Sequence, residues 1–139
     1  MSEEALPSIV EFSEDLSTQE APNPLPIGKY RGTVRAAEVK LSQKDKKYGA
    51  VTYFISPDQY PADYTDGNPE GTTLVYRRLG LEDNPQARFG ARKFCEMHGV
   101  VPSRSIDMNS FVGTEALLHI KHEPYEGIQR AVIDKVSAA

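Results

Sequence analysis

Four residues of this sequence carry metal-ligating side chains at a suggestive spacing, Cys95-x-x-His98 and His119-x-x-His122. Two such pairs are what a tetrahedral zinc site needs. On a helix, positions three apart share a face, whereas on a strand they point to opposite faces. Cys95 and His98 sit in a helical pattern, but His119 and His122 sit in a strand-like one, so the second pair cannot close on a single ion. No metal site is expected, and Cys95 reads as a small core residue. There is also no glycine-rich phosphate loop, nucleophile elbow or zinc-protease helix. The expectation is a protein with no catalytic residue and no cofactor.

The second constellation is basic and aromatic. "KLSQKDKKYG", residues 40–49, holds Lys40, Lys44, Lys46 and Lys47 beside Tyr48. Binders of single nucleic-acid strands that ignore sequence combine a basic groove, which follows the phosphates, with aromatic faces on which bases stack. Upstream, Arg31 and Arg35 alternate with core-type residues, and downstream Phe54 faces away from Val51, Tyr53 and Ile55. Arg77 and Arg78 occupy a later strand, and Lys121, Tyr125 and Arg130 gather around the last turn. The candidate nucleic-acid-binding set is therefore Arg31, Arg35, Lys44, Lys46, Lys47, Tyr48, Phe54, Arg77, Lys121, Tyr125 and Arg130. A plainer account stands beside it. Exposed lysine-rich hairpins also protect sheet edges, and Tyr60 and Tyr64 have the alternative task of pinning their own loop.

The elements that must position these residues follow from periodicity. Residues 1–26 read as an arm: they are acidic, end in the stiff "APNPLP" and show no sustained period. From Ile27 "KYRGTVRAAEVKL" alternates Tyr30, Gly32, Val34 and Ala36 against Arg31, Thr33 and Arg35. The phase then slips so that Val39 and Leu41 turn inward, with a bulge expected at Ala36-Ala37. "AVTYFIS" is a second strand, which places the lysines in a hairpin connection. A long Pro/Asp/Gly-rich loop, 57–71, precedes a third strand, "TTLVYRRLGL". "DNPQARFGARKFCEMHG" is a helix capped by Asp83 or Asn84, with Pro85 in its first turn and Gly99 at its end. Its core stripe is Ala87, Ala91, Phe94, Cys95 and His98, and Arg88, Arg92, Lys93 and Glu96 form a solvated face. "TEALLHIKH" and "GIQRAVIDKV" close the chain as strands four and five. Five strands with one helix between the third and fourth predict a mainly β fold, a five-stranded OB-type barrel over 27–139. An α+β sheet with the helix on one face is the other arrangement this order permits.

Charge sharpens the picture. The chain of 139 residues has a formal charge of −4, yet the arm holds six acids (Glu3, Glu4, Glu11, Glu14, Asp15, Glu20) and no Lys or Arg. Residues 29–47 hold seven basic side chains against Glu38 and Asp45. Polyanions respond to such local potential rather than to net charge. The lone cysteine, the absence of a long apolar run and the acidic start "MSEEALPSIV" predict a cytoplasmic protein with no membrane partner.

Taken whole, residues 24–136 resemble a family of small phage-encoded OB-fold single-stranded DNA-binding proteins of replication and recombination modules. The resemblance is carried by "PLPIGKYRGTVRAAEVKLSQKDKKYGAVTYFI", with its Pro-x-Gly-x-Tyr opening and Lys-rich turn. It continues in "GTTLVYRRLGLEDNPQARFGARKFCEMHGV", with an Asn-Pro helix start, and in the closing hairpin "FVGTEALLHIKHEPYEGIQRAVI". It implies an OB fold, binding of single-stranded DNA without sequence preference, and a place beside phage replication or recombination proteins, which the acidic arm 1–26 would contact. A different class of function also fits the sequence, a phage structural or interaction protein that uses the arm 1–26 as a clasp on a neighbour, and a homo-oligomer is compatible with either reading.

Overall fold

The computed structural model describes residues 7–139, so Glu3 and Glu4 of the arm lie outside it. The described residues form a mainly β fold, one five-stranded antiparallel sheet with a single α-helix. The strands are β1 Gly28–Leu41, β2 Lys47–Ile55, β3 Thr72–Gly80, β4 Glu115–Tyr125 and β5 Ile128–Ser137, and helix α1 is Pro85–Met97. Spatially they run β3-β2-β1-β4-β5. No helix among the described residues is long and apolar enough to cross a membrane.

Alternation along the strands builds the core. Tyr30 and Val34 of β1, Val51, Tyr53 and Ile55 of β2, and Ala116, Leu118 and Ile120 of β4 are all buried on one face. Gly32 lies among them because a Cβ there would meet Leu118 Cδ1 at 2.5 Å. The helix covers one end of this face. Asn84 caps it by accepting a hydrogen bond from Ala87 N at 2.9 Å, and Gly99, at φ +71°, stops it. Phe94, Cys95 and His98 point inward from it, joined by Met108 and Phe111 of the 3₁₀ turn Met108–Phe111.

Two expectations for β1 are corrected. Val39 and Leu41 are 54% and 62% exposed. The ladder to β4 ends at Thr33, so from there on β1 pairs with β2 alone, and Val39 and Leu41 lie on a sheet edge with no strand beyond it. The bulge falls at Arg35, between Val34↔Tyr53 and Ala36↔Thr52, one residue before the alanine pair.

Among the described residues no ladder joins β3 to β5, so the sheet as paired is open rather than a closed barrel. The two edges nevertheless meet through one side chain. Each carries a bulge: Arg77 and Arg78 together oppose Ala50 in β3, and Asp134 is the extra residue in β5. A bulge breaks the ladder and leaves backbone carbonyls without partners. Arg78 Nη2 donates to Ile133 O at 2.8 Å and also to Asp134 O. Arg78→Ala should lower stability by about 1.5–3 kcal/mol, the net worth of a hydrogen bond made by a charged group. Arg78→Lys should recover only part of it, because an ammonium lacks the planar fork. Urea unfolding checks both, and an unchanged midpoint for the alanine variant would show that the edges need no bridge.

Candidate nucleic-acid interface

The candidate residues separate into three places. The first is a groove of about 650 Å³ on the outer face of the sheet, floored by Thr33 and Phe54 and edged by Lys29, Arg31 and Arg35. Thr33 and Phe54 are direct cross-strand partners, and the bulge throws Arg35 over the ring, its guanidinium carbon 3.7 Å from the centroid. That is a cation–π stack, a flat cationic surface of the kind on which a base lies. Arg31 is partly neutralised, with Nε 3.6 Å from Glu115 Oε2. Its backbone is clamped by Gln59, which accepts from Arg31 N at 2.8 Å and donates to Arg31 O at 2.6 Å.

The second place is a cleft of about 1040 Å³ between the β1–β2 turn, β3 and α1. Lys46, Lys47, Tyr48 and Arg77 line it, together with Arg78 and Lys93. Its floor is apolar, with the Tyr76 ring stacked on Phe94 at 5.9 Å. Among the described residues Glu82 is the only acid on its wall, and it accepts from Lys47 N at 3.2 Å. Among the described residues Lys46, Lys47, Arg77 and Lys93 make no ion pair, and Lys93 Nζ lies 5.4 Å from the centre of the Phe89 ring.

Local geometry explains how the lysines arrive there. The hairpin turn is shorter than its sequence suggests: Ser42 N donates to Lys46 O and Asp45 N to Ser42 O, both at 2.9 Å, with Asp45 at φ +58°. Lys47 and Tyr48 therefore belong to β2 and not to the turn. Alternation puts Tyr48 on the same face as Phe54 six residues on, about 20 Å away at the usual strand rise. Lys44 sits at the turn's tip and lines neither hollow.

The third place is the end of the β4–β5 hairpin, where the two-residue turn Glu126-Gly127 has φ of +52° and +80° at its centre. Tyr125 is exposed there with Arg130 over its ring at 4.5 Å. Arg130 also pairs with Glu123 at 3.5 Å and Lys121 with Asp134 at 3.4 Å. Two of this group's three side chains thus carry compensated charge.

Sequence reasoning missed Lys93, which it assigned to the solvated helix face, and Tyr76. Both line the cleft. The available signal was the row Gln86, Gly90, Lys93, Met97, which has helical spacing and lies beside the core stripe. Tyr60 and Tyr64 take the structural role: their rings meet edge to face at 5.5 Å, Tyr60 Oη bonds Thr72 Oγ1 at 2.7 Å, and Tyr64 Oη donates to Asn23 O at 2.9 Å.

The four metal-ligating side chains do not converge. His98 Nδ1 donates to Phe94 O at 2.7 Å, and its Nε2 accepts from Tyr53 Oη at 2.6 Å. His119 Nε2 is bonded to Ser137 Oγ at 2.9 Å and His122 Nε2 to Leu25 O at 2.8 Å. Burial raises the Cys95 thiol pKa, with nearby Glu96 adding to the rise, which works against a thiolate ligand. Compared with protein-family models and with curated proteins, the chain matches none.

Proposed function

We propose that this chain binds single-stranded DNA without sequence preference, as an OB-type module in the replication or recombination of phage DNA in the host cytoplasm. The observation that carries the reading is a pair of basic, aromatic hollows, one on the outer face of the sheet and one where the β1–β2 turn and β3 meet α1. Arg35 on Phe54 forms one, and Tyr48 amid Lys46, Lys47 and Arg77 forms the other. About 20 Å between Tyr48 and Phe54 along β2 is a span of several nucleotides, which suits a track more than a point site. The strand order β3-β2-β1-β4-β5 is that of a five-stranded OB barrel cut between its third and fifth strands, and Arg78 bridges that cut. Side chains that can hold phosphates and stack on bases support binding as the reading.

A duplex hides its base faces and a single strand offers them, and stacking is worth about 1–3 kcal/mol per base. Fluorescence anisotropy at two salt concentrations should therefore show oligo-dT binding at least about tenfold tighter than a duplex of equal length. Equal affinity for the two, or none for either, would sink the reading and favour a protein whose arm clasps a partner.

A further inference from the structure

We propose that the last part of β1, residues 36–41, pairs edge to edge with the same stretch of a second copy of this chain. On the side away from β2, the final backbone bonds are Val34 N to Thr114 O at 2.9 Å and Gly113 N to Val34 O at 2.8 Å. Which groups stay free beyond them follows from the turn. Ser42 N donates to Lys46 O, so Ser42 faces β2, as do Lys40 and Glu38 at two-residue steps before it. Lys47, which stands opposite Leu41, turns its backbone the other way: its carbonyl accepts from Leu81 N and its N–H donates to Glu82. Ala37, Val39 and Leu41 therefore turn N–H and C=O outward, and among the described residues no other strand, loop or side chain bonds them. Their side chains continue the core face, with Ala37 packed against the core and Val39 and Leu41 more than half exposed. A row of unpaired backbone groups beside apolar side chains is a template for another strand.

Charge selects the occupant. A two-fold axis at Val39, the centre of the free row, sets Ala37 opposite Leu41 of the second copy and Glu38 opposite its Lys40. Val39 and the Ala37–Leu41 pairs exchange the backbone hydrogen bonds. Glu38 and Lys40 fall at the positions between, where facing side chains come closest. Within one copy Lys40 Nζ already lies 3.4 Å from Glu38 Oε1, so the four charges alternate in sign around the axis. Moving the axis one residue either way keeps the backbone bonds but sets Glu38 on Glu38 or Lys40 on Lys40, which like charges oppose. The sequence of this edge is thus complementary to itself in one register. The chain's own arm is not: residues 1–26 hold no Lys or Arg to face Glu38.

The same patch meets itself across the axis, so the assembly closes as a dimer and leaves no edge there for a third copy. The axis stands perpendicular to the sheet, because facing residues of an antiparallel pair share a face. Both outer faces then lie on one side of a continuous sheet, and a long single strand engages two Arg35–Phe54 grooves at once. That consequence rests on the DNA-binding reading; the contact between copies does not.

Charge reversal tests both the contact and its register. Glu38 and Lys40 are exposed and line neither hollow, so changing them leaves the fold in place. Sedimentation of the unaltered full-length chain should give twice the monomer mass. Glu38→Lys alone and Lys40→Glu alone should each sediment as monomers, since like charges then face one another across the axis. Mixed in equal amounts, these two variants should give the dimer again, because an edge with two lysines meets an edge with two glutamates. The chain carrying both changes keeps a cation opposite every acid and should dimerise by itself. An unaltered chain that sediments as a monomer overturns the proposal. So does a dimer that both single reversals leave intact, whether the arm or another surface holds it, and so does a mixture of the two variants that stays monomeric. None of these measurements uses DNA. A dimer that ignores oligo-dT loses only the binding reading, and a monomer that binds oligo-dT loses only this one.

Discussion

Replacing His98 by Phe should destabilise the fold by about 1–3 kcal/mol, the cost of leaving a buried hydroxyl without a partner. The ring of Phe keeps the aromatic packing, which places His98 4.3 Å from Phe94 and edge-on to Phe111 at 5.4 Å. What it removes is the acceptor for Tyr53 Oη, on a side chain with no solvent exposure. Adding Tyr53→Phe to that variant should restore most of the loss, because no orphaned hydroxyl is then left. His98→Ala adds a cavity and should cost about 3–5 kcal/mol in all. The pair also makes stability depend on pH. Burial pushes the His98 pKa below its ordinary value of 6.5, against the opposing pull of the hydrogen bond to Phe94 O. The unfolded chain therefore takes up this proton first as pH falls. The contribution is complete above about pH 6.5, the unfolded value, and is lost as pH falls from there through the lower native value. His98→Phe should be flatter over that interval. Urea midpoints at pH 7.5 and 5.5 check the sign, and equal pH dependence in both proteins would show that folding leaves the His98 pKa unshifted.

The elements could be read from the sequence because each is locally consistent. Val51, Tyr53 and Ile55 alternate cleanly and are fully buried, and Asn84-Pro85 starts the helix where the residue types require. What could not be read depends on partners distant in sequence. Val39 and Leu41 continue an apolar pattern that the fold leaves uncovered, since a strand does not reveal where its neighbours end. The bulge falls at Arg35, whose guanidinium lies over Phe54 of the neighbouring strand, and not at the two small alanines that follow. Arg78 reads as a surface cation, yet its fork spans two sheet edges 55 and 56 residues apart in the chain. The candidate site divides the same way. Residue types along β1, β2 and the turn between them made Arg35, Phe54, Lys46 and Tyr48 candidates. The grouping of Lys93 and Tyr76 with Arg77 needed the packing of α1 on β3, and the ion pairs of Arg31, Lys121 and Arg130 needed the registers of three strands.

That division sets the sharpest test of the lysines. If each of Lys46, Lys47 and Arg77 neutralises a phosphate, the triple alanine variant should flatten the log–log salt dependence of oligo-dT binding by about two units, at −0.7 per contact on single strands. Between 50 and 200 mM salt, the unaltered protein should then lose affinity by roughly 20-fold more than the variant. Every oligonucleotide sequence should be affected alike, because phosphates carry no sequence. Lys44→Ala is the internal control: Lys44 projects from the turn's tip outside both hollows and should leave the slope nearly unchanged. Phe54→Ala should differ in kind. It removes the ring beneath Arg35 and a platform for a base, lowering affinity by about 1–3 kcal/mol with little change in slope, because stacking releases no counterions. Thermal melts separate binding from folding, since these positions lie outside the core and should shift stability little. If the Lys46/Lys47/Arg77 variant keeps its slope while Lys44→Ala reduces it, the phosphates run past the turn's tip and not through the cleft. If neither variant moves it, the lysines only keep the hairpin in solution.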